Sequence, residues 1–262
     1  MTAQDLSKMG AANVTLFVDE HGQRVIEKYP VSEVEYAFYQ HVAHRLNAAK
    51  IASPGLLFAD PARQLVRLEY IPHPVSQDAV AGDEVLTMLA RLHRVAPEAS
   101  WRYHPHSWSV SALEKSLALL ALPEPASQQL RRFQQSSEVL FRHPGLISGD
   151  SNAGNWGRRD NGELVLFDWE RFSTGSPAID LAPLIKGMGT THAFQALAGR
   201  YCRIADHATP RELGREIAIA KAWIVTEVVT LLAERQKTDL QRYLAWYRQH
   251  LPDWLDSTVT LL

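Results

Sequence analysis

The chain has 262 residues, 46% of them hydrophobic and 21% charged, and a formal net charge of −2. That length supports two lobes or one large domain with ample core, and the near-neutral charge gives no general drive toward nucleic acid or an anionic membrane, so neither is expected as a partner. The lone cysteine, Cys202, excludes an internal disulfide framework and is expected as a buried thiol. Met1 to Gly10 lacks an apolar signal core and no apolar run is long enough to span a bilayer, so the sequence reads as cytoplasmic.

In chain order, Val14 to Val18 and Arg24 to Tyr29 are β-prone runs around the turn Asp19-Glu20-His21-Gly22, which predicts a hairpin. Lys28 ends the second strand. Alone it reads as a solvated edge lysine, unless a carboxylate partners it. Val31 to Asn47 has helical periodicity, with Phe38, Tyr39, Val42 and Leu46 on one face. Glu35 extends that face while Glu33 points away, so Glu35 is the expected partner of Lys28. After the break at Ala52 to Pro54, Leu56 to Ala59 and Gln64 to Ile71 predict a second hairpin. Pro72-His73-Pro74 then reads as a rigid connector, the expected boundary between a lobe of residues 1–71 and one of residues 72–262.

Helices are expected at Gly82 to Arg94, Ser111 to Leu122, Ala126 to Phe141, Ala178 to Lys186, Thr191 to Asp206, Pro210 to Gln236 and Asp239 to His250. The His- and Trp-rich loop from Trp101 to Trp108 matches no zinc spacing and is read as packing. In the long helix, Ala220, Trp223, Ile224, Glu227, Val228 and Leu231 fall on one broad face. Glu227 either lines a cleft near Trp223 or makes a structural ion pair.

Chemistry concentrates in ISGDSNAGNW and the following LVLFDWE. Asp150 precedes Asn155 by five residues after an apolar run, and Asp168 ends the run LVLF. In a kinase-type site an Asp takes the proton of the attacking hydroxyl, while an Asn five residues on and an Asp at a strand end hold Mg²⁺. Asp180, between Ile179 and Leu181, is read either as an organising buried acid or as a helix first-turn carboxylate.

With these residues in view, the chain resembles the aminoglycoside phosphotransferase and choline kinase family of small-molecule kinases. Members carry H-G-D-x-x-x-x-N, a strand ending in D-W or D-F, and G-D-P-x-x-D-L; the counterparts here are SGDSNAGN, LVLFDWE and GSPAIDL. MLARLHR is similar to the family's L-x-x-L-H helix, and MGAANVTLFVDEHGQRVIEKY to its phosphate loop and lysine strand. The resemblance implies an α+β, protein-kinase-like fold with a small β-rich N-terminal lobe and a larger, mostly helical C-terminal lobe. It implies use of ATP and Mg²⁺, with Asp150 as base, Asn155 and Asp168 as metal ligands, and Lys28 on the phosphates held by Glu35. Tyr70 and Ile71 would meet adenine through their backbone. The acceptor would be a small-molecule hydroxyl, a cationic compound among the candidates, with Glu170, Trp223 and Glu227 as candidate substrate contacts. Two departures stand out: Ser148 replaces the usual His, and Ser176 replaces the Asp of G-D-P. Ser148 and the glycine-poor loop Met9 to Asn13 leave a catalytically idle ATP-binding module as the competing reading.

Overall fold

Alternation along NVTLFV and RVIEKY sets two antiparallel strands, β2 (Asn13–Val18) and β3 (Arg24–Tyr29), with Val14 opposite Lys28 and Leu16 opposite Ile26. The computed structural model describes residues 4–5, 12–205 and 209–262, so Met9, Gly10 and Ala11 of the expected phosphate loop lie outside the described residues. The sheet is completed by β1 (Gln4–Asp5), β4 (Leu56–Asp60) and β5 (Leu65–Glu69) in the order β1-β2-β3-β5-β4. Lys28 pairs with Val66 and Ile26 with Leu68, so Lys28 shares a face with Val14, Leu16, Ile26, Val66 and Leu68. Both expected hairpins form.

Ser32 caps the next helix by accepting from the Glu35 N–H at 3.1 Å. The helix runs as α1 (Glu33–Ala37), a π-type turn at Phe38–Val42, and α2 (Ala43–Ala48). Periodicity predicts a regular helix here. The widened turn holds Phe38, which is fully buried and stacks on Trp169 at 4.2 Å between ring centres. In α3 (Asp83–Arg94), Val85, Leu86, Leu89 and Leu92 are buried as their spacing predicts.

Pro72-His73-Pro74 is more than a connector. His73–Pro74 forms a short strand, β6, on the edge of a second sheet. It pairs with β8 (Trp156–Arg158), and β8 pairs with β9 (Leu164–Leu166). An edge is where a strand tolerates Pro, which has no N–H to give. The short strand β7 (Leu146–Ile147) packs near α3. Arg159 then clamps the β8–β9 turn to β5: its Nε and Nη2 donate to the two Glu69 oxygens at 2.7 and 2.6 Å, and Nη2 also reaches the Ser53 carbonyl at 3.1 Å. These links give the chain two compact units: Met1–Pro105 with Gly145–Ser173, and His106–Pro144 with Thr174–Leu262. Residues 72–105 and the returning segment 145–173 thus share one compact unit with the sheet.

The clamp makes a stability prediction. The Arg159 hydrogen bonds hold the Glu69 carboxyl below its ordinary value, with burial opposing them. A carboxylate depressed in the fold stabilises above its unfolded pKa and loses that contribution as pH falls through the folded value. Glu69→Gln is therefore expected to cost about 1.5–3 kcal/mol at neutral pH, with the gap closing below pH ~4, as read from urea midpoints across pH.

The second unit is helical: α4 (Val110–Leu120), α5 (Glu124–Gln135), α6 (Glu138–Phe141), α7 (Pro177–Leu181), α8 (Thr191–Ile204), α9 (Pro210–Glu234) and α10 (Leu240–Thr258). The helix expected over Ala126 to Phe141 is two, divided at Ser136-Ser137, where the Ser137 hydroxyl bonds the Gln134 carbonyl at 2.7 Å and competes with the ladder. Conversely, α10 continues past His250 through Pro252. Burial of Leu251, Trp254 and Leu255 outweighs the roughly 3 kcal/mol a mid-helix proline costs. α9 is buried nearly all round from Ile217 to Trp223, whereas Ile224, Glu227, Val228 and Leu231 of the expected apolar face are only half-buried. Neighbouring helices cover what a one-sided reading leaves to solvent. Cys202, expected in the core, is also half-buried. No helix among the described residues is long and apolar enough to cross a membrane.

Candidate active site

Strand and helix periodicity bring Lys28 and Glu35 together. Lys28 Nζ lies 2.8 and 2.7 Å from the two Glu35 oxygens and 2.7 Å from Asp168 Oδ1. Lys28 is 8% exposed and Glu35 1%, so the solvated-edge reading of Lys28 does not hold. Burial works against the Lys28 charge, but Glu35 and Asp168 outweigh it and hold the ammonium above its ordinary value. Burial pushes the Glu35 carboxyl up to about 7; Lys28 opposes that rise, and Asp168 and Glu170 add to it.

Asp168 follows β9 with φ at +65°, a left-handed turn that carries its carboxylate out of the strand direction toward Lys28. Behind it, Trp169 is fully buried, its indole N–H donating to the Leu166 carbonyl at 2.9 Å. Glu35, Asp168 and Glu170 each offer a carboxylate oxygen within 4.8 Å of the others. Three acids against the single Lys28 ammonium leave surplus negative charge, a donor set suited to a hard divalent cation. Glu170 thus stands in the carboxylate group.

The loop after β7 is organised by its own polar groups. The Asn155 side-chain N–H₂ donates to the Asp150 carbonyl at 2.8 Å, which leaves Oδ1 as its remaining ligand atom. Asn152 donates to Asp150 Oδ1 at 2.7 Å and accepts from the Gly154 N–H at 2.8 Å. A Cβ on Gly154 would come within 2.9 Å of that Asn152 oxygen, so a side chain there would push the Asn152 amide aside. Burial raises the Asp150 carboxyl, the Asn152 bond opposes the rise, and Asp168 adds to it. Ser148 is 1% exposed, and its hydroxyl accepts from the Asp150 N–H at 3.4 Å. Sequence reading missed Asn152; its signal is an Asx residue two before a glycine in a loop.

Tyr70 and Ile71 follow β5. Arg24 lies over the Tyr70 ring at 4.6 Å, and among the described residues the Ile71 N–H and carbonyl take no backbone partner. In the helical unit Asp180 is fully buried in the first turn of α7. There Ser176 caps α7 by accepting from the Ala178 N–H at 3.1 Å and hydrogen-bonds Glu216, so a serine supplies the cap. Trp223 and Glu227 line one cavity of about 180 Å³ with Trp108 and Glu234. The histidine-rich loop packs as expected: Tyr103 lies 5.5 Å from Phe172, and His106 lies 5.4 Å edge-on to Trp223.

An Asp150–Asn155 loop, a strand-end carboxylate at Asp168, and a buried strand lysine paired with a helix glutamate accompany a protein-kinase-like fold. Solved structures share the fold. A choline/ethanolamine kinase family protein from Mesorhizobium loti is similar over 100% of this chain and 92% of its own, with a TM-score of 0.68 and 16% identity. The choline kinase LicA from Streptococcus pneumoniae covers 98% and 94% at a TM-score of 0.70 and 18% identity, and has also been solved with AMP. The aminoglycoside phosphotransferase APH(2")-IIa in its gentamicin complex covers 97% and 93% at 0.65 and 17%. None of the curated proteins matches. The model of the phosphotransferase enzyme family matches residues 8–215, and the chain belongs to that family. It is a small-molecule phosphotransferase.

Proposed function

We propose that this protein transfers the terminal phosphoryl group of ATP, with Mg²⁺ bound, to a hydroxyl of a small molecule. The observation that carries the reading is the buried Lys28 ammonium held between Glu35 and Asp168 in the unit that also contains the Asp150–Asn155 loop. Phosphoryl transfer asks for positioning and charge neutralisation more than covalent chemistry.

Asp150 is the proposed base. Its Oδ1 is held by Asn152, and Oδ2 remains to accept the acceptor's hydroxyl proton. Lys28, fixed by Glu35, meets the phosphates, while Ile71 and Tyr70 receive adenine through the backbone. Asn155 and Asp168 hold Mg²⁺, with Glu170 beside them. Mg²⁺, when bound, supplies neutralisation of phosphate charge. The cavity with Trp223, Trp108, Glu227 and Glu234 suits a cationic group of the acceptor, through aromatic faces and carboxylates. Residues 1–71 form the nucleotide lobe in this functional sense.

The test has two arms. ATP with Mg²⁺ is expected to raise the melting temperature, and EDTA to remove most of that rise. ADP release is then followed across choline-like alcohols, aminoglycosides and sugars. No stabilisation by ATP would refute the nucleotide site. Stabilisation with no ADP release on any acceptor would favour the idle module that Ser148 motivates.

A further inference from the structure

The helical unit contains a second, larger cavity of about 390 Å³ with an opposite character. Its lining includes Lys221 of α9, Arg242, Trp246 and Tyr247 of α10, and Gly187 and Met188 of the loop after α7, but no Asp or Glu among the described residues. Lys221 is 6% exposed. Its Nζ donates to the Ile185 carbonyl at 2.8 Å, and among the described residues no carboxylate pairs with it. An ammonium has three donors, so one carbonyl leaves most of its capacity unused in a place where a bare charge is costly. Burial lowers its pKa to about 8, with no acid among the described residues to restore it.

The rest of the lining matches. Arg242 reaches Asp239 at 3.1 Å along its own helix, in an exposed pair worth little, so its guanidinium is available at the rim. The backbone N–H groups of Gly187 and Met188 donate to no protein acceptor among the described residues. Trp246 and Tyr247 pack edge-on at 5.4 Å, and Trp246 is 40% exposed, an aromatic wall open to a ligand. A lysine whose role is only to hold the Ile185 carbonyl accounts for none of these. Cationic donors with no acidic counterpart, set against an aromatic wall, recognise an anion with a flat apolar body.

We propose that this cavity binds a small organic anion, a carboxylate or phosphate ester carrying an aromatic group, held by Lys221, Arg242 and the N–H groups of Gly187 and Met188. The inference concerns the helical unit alone and does not rest on phosphoryl transfer.

Binding to the full chain is measured by calorimetry and Trp fluorescence, with benzoate and phenyl phosphate as probes and with benzyl alcohol and benzyltrimethylammonium as matched neutral and cationic controls. At least one anion is expected to bind tenfold or more tightly than benzyl alcohol, and the cation no better than the alcohol. Lys221→Met, which keeps the stem volume, is expected to lower anion affinity at least tenfold and leave benzyl alcohol unchanged. Arg242→Gln is expected to lower anion affinity severalfold, and it decides the matter if Lys221→Met does not fold. Anions binding no tighter than benzyl alcohol, preference for the cation, or wild-type anion affinity in the folded variants would overturn the proposal.

Discussion

Asp150→Asn is expected to lower turnover by about 10²–10⁴-fold, the usual worth of a positioned general base, while ATP binding persists. The replacement amide keeps an oxygen for the Asn152 N–H₂, now at 2.7 Å from Asp150 Oδ1, so the loop retains its internal bond. The variant should also be at least as stable as the wild type at neutral pH. Burial, with Asp168 adding, raises the Asp150 carboxyl above 3.8. An acid raised in the fold is a burden that grows as pH rises from its unfolded to its folded value, and a neutral amide escapes it. The advantage should vanish below pH ~3.8, where both states of the wild type are protonated. Coupled ADP release and urea midpoints at several pH values measure both effects. Transfer within tenfold of wild type would remove Asp150 from the role of base.

Lys28→Met carries the second large effect. It leaves Glu35, 1% exposed, and Asp168 without their common cation. Breaking a buried ion pair from one side costs about 3–5 kcal/mol, because a buried charge stays uncompensated. Adding Glu35→Met should recover much of that stability, since an apolar pair of similar size avoids the buried charge, yet transfer should stay lost in both variants. Urea denaturation and ATP titration separate the two. A double variant with near-wild-type turnover would show that Lys28 and Glu35 serve the fold alone.

These two expectations were legible in the sequence to different depths. The Lys28–Glu35 pair followed from strand and helix periodicity over eight neighbouring positions, and Asp150, Asn155 and Asp168 from order and spacing along one stretch. Asn152 was missed because a side chain bonding back within its own loop leaves only a weak composition signal. Lys221 was missed because a single lysine in AIAKAWIV reads as a solvent-side break in an apolar run. Helices on every side of α9 reverse that reading.

By itself, then, the sequence determined the β-rich start, the helical remainder, and the order and spacing of the candidate site residues, since each rests on local periodicity or near spacing. Tertiary structure alone decided how segment 145–173 returns to the sheet-bearing unit, through Arg159 and Glu69, 90 residues apart, and through the strand pairing of His73–Pro74. It also decided which charges are buried. Burial depends on what packs around a residue from distant parts of the chain, and so Lys28 stands among carboxylates while Lys221, among the described residues, pairs with none.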